Sequence, residues 1–135
     1  MNAVELSMKE KIANLDFAIK SGEQIDIETE HKFAKGVYIR TITVPQGAVI
    51  TGKIHKTEHI FILSKGEMAL ADNDKQSIIK APFQCVSQPG VRRAGLAISD
   101  CVVTNVFITN ETNIEALELI LAEPELLEST KQLGV

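Results

Sequence analysis

Apolar residues recur every three or four positions at the start of the chain, at Val4, Met8, Ile12, Leu15 and Ile19. This spacing predicts an amphipathic helix within residues 1–22, with Glu5, Lys9, Glu10 and Lys11 turned to solvent. Ser21-Gly22 stops it, because glycine accepts the left-handed conformation that ends helices. The period then changes to two. Short β-prone runs cover Gln24–Glu28, Gly36–Val44, Ala48–His55, His59–Leu63, Glu67–Ala71, Gln76–Lys80, Phe83–Ser87 and Cys101–Ile108. Pro45-Gln46-Gly47, Ser64-Lys65-Gly66, Asp72-Asn73-Asp74 and Pro89-Gly90 punctuate them. Roughly eight short strands at this spacing predict an all-β sandwich or barrel over residues 23–110. The tail, 111–135, returns to a helical pattern. Thr112-Asn113-Ile114-Glu115 reads as a capping box with Thr112 as the cap, Ile114, Leu117 and Leu121 form an apolar face, and Pro124 ends the helix.

Composition narrows the classes of function. The chain has 135 residues, enough for one domain with one core, and 44% hydrophobic with 24% charged residues is ordinary for a folded protein. A net charge of −4, spread along the chain, disfavours nucleic acid as a partner. No apolar run approaches the ~18 residues of a membrane span, and the first twenty residues lack the apolar centre of a signal peptide, so the expected setting is the cytoplasm without membrane attachment. Cys85 and Cys101 stand apart, with no CxxC, and read as packed thiols rather than a zinc knot or redox pair. No phosphate-binding glycine loop, dinucleotide fingerprint or nucleophile signature occurs. His31 sits among charges in Glu28-Thr29-Glu30-His31-Lys32 and reads as a surface residue, while Tyr38 and the phenylalanines read as core or interface.

The stretch Gly52-Lys53-Ile54-His55-Lys56-Thr57-Glu58-His59-Ile60-Phe61-Ile62-Leu63-Ser64-Lys65-Gly66 resembles the first motif of the cupin superfamily. That motif has two histidines one residue apart, a glutamate after a tight turn, and a glycine closing the next hairpin. Aligned on Gly66, His59 takes the glutamate position, His55 the second histidine and Lys53 the first. Pro89-Gly90-Val91-Arg92-Arg93 resembles the second motif, with Arg93 in place of its histidine and the proline directly beside the glycine. The resemblance covers residues 36 to 109 and implies a cupin-like double-stranded β-barrel, or jelly roll, with a helix at each end. The order of strands and turns is also similar to small cupin-like proteins of tailed bacteriophages, which implies an accessory role in the host cytoplasm.

Strand alternation places Val49, Thr51, Lys53 and His55 on one face, and His59, Phe61 and Leu63 on one face of the next strand. If both faces point inward, Lys53, His55 and His59 meet inside the barrel, with Arg92 or Arg93 joining them. The plainer alternative is that both histidines flank a polar turn at the rim. Such a cationic pocket suits a small anion, since arginine's fork matches carboxylate or phosphate. Binding is then expected to strengthen below pH ~6.5, where histidine charges. The rival reading, implied by the resemblance, is a metal-dependent isomerase or dioxygenase with His55 and His59 as ligands. Two imidazoles fall short of the usual three or four donors, and Glu58 points the wrong way to complete the set. The expectation is therefore a binding or assembly module with no cofactor or a weakly held divalent transition metal. Barrel edges and the N-terminal stripe call for cover, which predicts a homo-oligomer, with the symmetric dimer favoured.

Overall fold

The computed structural model describes residues 26–72 and 75–122. The N-terminal stripe, Gln24, Ile25 and Pro124 all lie outside these residues. Two antiparallel sheets face each other. The first joins β1 (Glu28–Ala34), β2 (Val37–Val44), β4 (His59–Lys65), β7 (Phe83–Ser87) and β9 (Cys101–Ile108) in the order β1-β2-β9-β4-β7. The second joins β3 (Val49–Thr51), β5 (Glu67–Ala71), β6 (Gln76–Lys80) and β8 (Ala94–Ala97) in the order β3-β8-β5-β6. A single helix, α1 (Ile114–Leu121), completes the described residues. This is a double-stranded jelly-roll barrel.

Alternation builds the core. Val44, Phe61, Leu63, Cys101 and Val103 from the first sheet meet Met68, Ile79 and Ala97 from the second, all buried. Their neighbours along each strand turn outward, as Ile60 and Val86 do. Cys101 is fully enclosed, its thiol donating toward the Glu67 and Ser99 carbonyls. Burial pushes its pKa up, and both cysteines are free thiols.

The strands differ from the sequence reading at three places. The first strand runs Glu28–Ala34, through the charged stretch, because Thr29, His31 and Phe33 alternate onto the face toward Tyr38. β3 stops at Thr51, since the chain turns away after Gly52 donates its N–H to the Arg93 carbonyl at 2.8 Å. β8, Ala-Gly-Leu-Ala, carries little β-branched bulk to announce it, yet it pairs with both β3 and β5. Gly95 permits this, because a Cβ there would stand 2.8 Å from Met68 Sδ. At the helix, the cap is Asn113 rather than Thr112: its side chain accepts from the Ala116 N–H at 3.0 Å. Leu117 and Leu121 are buried against Tyr38 and Phe107, while Ile114 remains 40% exposed.

Candidate functional site

The inward face of the five-stranded sheet does more than fill the barrel. Between the sheets and under α1 lies a cavity of about 700 Å³. Its walls are apolar where Ile42, Ile50, Met68, Leu70 and Val103 reach it. Its polar groups come from His31, Tyr38 and Arg40 on β1 and β2, Lys53 and His55 beyond β3, His59 on β4, Ser87 on β7, Arg93 before β8, and Asn105 on β9. Lys53, His55, His59 and Arg93 thus line one space. Arg92 is buried at 4% exposure but does not line the cavity; of the two arginines, Arg93 is the one that enters it.

Arg93 is held from three sides. Its Nη1 donates to Ser87 Oγ at 2.6 Å, its Nη2 lies 3.8 Å from Cys85 Sγ, and its Cζ stands 5.2 Å above the Phe61 ring. The ring contact stabilises the cation and fixes the plane of the fork. The Nε of Arg93 is buried and has no hydrogen-bond partner.

The histidines form a contact pair. The His55 and His59 rings meet edge to face at 4.5 Å between centroids, and both pack against Phe107, at 5.2 and 4.7 Å. His59 is 6% exposed. The pKa of His55 is lowered to about 4, first by burial and then by His59, Arg40, Arg93 and Lys53. The pKa of His59 is also lowered to about 4, by burial and then Arg93, against a weaker pull from the Thr57 backbone and the Asn105 amide that closes no hydrogen bond on Nδ1. Both rings are therefore neutral at pH 7. The expected charging of the pocket below pH ~6.5 is corrected accordingly: desolvation and the neighbouring guanidinium move it to about pH 4.

Lys53 stands at the mouth, its Nζ 3.6 Å from Glu118 Oε2 on α1, with the two side chains 38% and 64% exposed. Such a pair adds little stability but holds a fixed acid beside the lysine. The helix also clasps the segment after β3: the Lys56 N–H donates to the Leu121 carbonyl at 2.8 Å, Lys56 Nζ to the Leu119 carbonyl at 3.0 Å, and His55 bridges to Ala122. These contacts satisfy carbonyls that a helix C-terminus leaves open.

Several lining residues escape a reading of the sequence, Arg40 and Ser87 among them. Asn105 is a polar residue on the inward face between Val103 and Phe107, a signal that alternation within β9 makes visible. Glu118 reaches the site only through the packing of α1. His31 is half-buried rather than a surface residue: its Nδ1 lies 2.7 Å from Tyr38 Oη and its ring stacks on Tyr38.

The donor set does not fit a transition metal. No cluster of three or more His, Cys, Asp or Glu side chains exists among the described residues. Lys53 and Arg93 bring cations where a site needs ligands, and Glu58 is exposed.

No family model matches the chain, and no curated protein sequence matches it. Among solved structures it is similar to a cupin superfamily protein from Desulfitobacterium hafniense, with 8% identity over 64% of this chain and 81% of that one and a TM-score of 0.54. An RmlC-like cupin with a double-stranded β-helix fold from Methanocaldococcus jannaschii is 18% identical over 65% and 84%, with a TM-score of 0.53. A predicted oxalate decarboxylase from Thermotoga maritima is 19% identical over 64% and 84%, with a TM-score of 0.54. The fold is that of the cupins. No helix among the described residues is long and apolar enough to cross a membrane.

Proposed function

We propose that this barrel is a binding module for a small organic acid, seated in the cavity with its carboxylate on Arg93. The observation that carries the reading is the state of that arginine. Its guanidinium is fixed by Ser87 and Phe61 yet keeps an unpartnered Nε inside apolar walls. Among the described residues, Arg40, Lys53 and Arg93 line the cavity against one acid, Glu118, which is engaged by Lys53. A cation without a counter-charge in such surroundings is costly, and an entering carboxylate relieves it. The neutral histidines then offer hydrogen bonds without adding charge, and Ile50, Met68 and Leu70 receive the apolar body of the acid. Phosphate and sulfate are expected to bind more weakly, because more charge must leave water.

Calorimetry with propionate and phenylacetate tests this. Both are expected to bind, and Arg93→Met is expected to weaken them at least tenfold, roughly the 1.5–3 kcal/mol of a hydrogen bond to a charged group. Equal affinity in wild type and Arg93→Met would sink the reading.

The assembly half of the reading rests on the outer face of the same sheet. Register places Ile39, Val106, Ile60 and Val86 in one row across four strands, with Ile60 44% and Val86 55% exposed. A second copy covering this row makes a symmetric dimer. Light scattering at micromolar concentration is expected to give twice the chain mass; a monomer removes the proposal.

A further inference from the structure

Three buried polar atoms among the cavity-lining residues have no hydrogen-bond partner: Arg93 Nε, Asn105 Oδ1 and His59 Nδ1. They gather around one ring. Phe61 lies two residues from His59 on β4, is the cross-strand partner of Asn105 on β9, and carries the Arg93 guanidinium above its face. The roles of the atoms differ. Arg93 Nε–H can only donate, and Asn105 Oδ1 can only accept. The neutral ring of His59 leaves Nδ1 able to take either role, according to its tautomer. A buried donor and a buried acceptor left open each carry a desolvation cost that a complementary ligand removes.

A plain carboxylate answers Arg93 and leaves Asn105 open. The missing group is a hydrogen-bond donor beside the carboxylate, since Arg93 and Asn105 both flank Phe61. An ammonium is the wrong donor, since Arg40, Lys53 and Arg93 already make the lining cationic. A hydroxyl donates to Asn105 without charge and still offers a lone pair to His59. It also reproduces the bonds of any water it displaces there. Resting on the organic-acid reading above, we propose that the cavity selects hydroxy acids whose hydroxyl adjoins the carboxylate, with Arg93 holding the carboxylate and Asn105 reading the hydroxyl.

Calorimetry with matched acids separates this from the parent reading. The probes are lactate against propionate, mandelate against phenylacetate, and alanine as the zwitterion. The hydroxy acid of each pair is expected to bind roughly tenfold tighter than its deoxy partner, with alanine weaker than either. Asn105→Leu is expected to erase that preference, so that the two members of each pair bind alike, with circular dichroism checking that the variant is folded. Arg93→Met is expected to weaken both members of each pair. If the pairs bind equally in wild type, or if Asn105→Leu keeps the preference, the hydroxyl assignment is wrong and the organic-acid reading survives. If no acid binds, both fall.

Discussion

Replacing Gly66 with alanine is expected to destabilise the barrel by about 3–4 kcal/mol, a large share of the roughly 5–15 kcal/mol that holds a domain of this size together. Gly66 turns the chain from β4 into β5 with φ +93°, which an L side chain resists at a cost of roughly 1–2 kcal/mol. The larger part is steric. A Cβ there would overlap the Asp100 carbonyl oxygen and stand 2.8 Å from Cys101 Sγ. Both obstacles belong to backbone or fully buried side chain, so neither can swing aside, and overpacking of this kind costs roughly 1–3 kcal/mol. Gly90 is the control. It has φ +81°, but a Cβ added there would meet nothing within 4 Å, so Gly90→Ala bears the conformational cost alone. Urea unfolding of both variants is the measurement. Equal midpoints would show that the close approach at Asp100 does not matter.

Gly66 also anchors the sequence motif, and the close approach explains why that position constrains its surroundings. The strands that the sequence makes plain, such as β7 and β9, turn one alternating face inward. β1 and β8 are hidden for opposite reasons. β1 is an edge strand whose charges are solvated and whose inward contacts are aromatic, through His31 and Phe33 on Tyr38. β8 carries glycine at Gly95 because Met68 occupies the space a side chain there would need.

At the site, alternation on β4 accounts for His59, whereas Lys53 and His55 line the same cavity from the segment beyond β3, where strand alternation no longer applies. The choice between Arg92 and Arg93 depends on where β8 begins, which local pattern does not contain. The partner of Lys53 is further out of reach. Glu118 lies far along the chain, and only the packing of Leu117 and Leu121 on Tyr38 and Phe107 turns it toward the mouth. Acids counted from the strands alone therefore misjudge the charge balance of the opening.

The neutral histidine pair should make the protein acid-sensitive well above the carboxylate range. The native pKa values of about 4 lie below the ordinary 6.5 that an unfolded chain restores. Between those values the unfolded chain takes up protons that the native rings refuse, so stability falls as pH drops through this window and is fully present above it. From pH 7 to pH 5 the loss is about 2 kcal/mol for one ring. For both it is roughly 3 kcal/mol, after allowance for residual solvent at His55 and for the contact between the rings. Urea midpoints at the two pH values measure it, and His55→Gln or His59→Gln should each remove part of the slope, because glutamine does not titrate. The same neutrality governs the ligand. Had the rings charged near pH 6.5, phenylacetate affinity would climb steeply between pH 7 and pH 5; with both rings neutral and Arg93 supplying the charge, it should stay nearly flat. An imidazole titration followed by NMR decides the premise. A midpoint near 6.5 for either ring in the ligand-free protein would mean that water reaches the pair, and the flat binding profile would be lost with it.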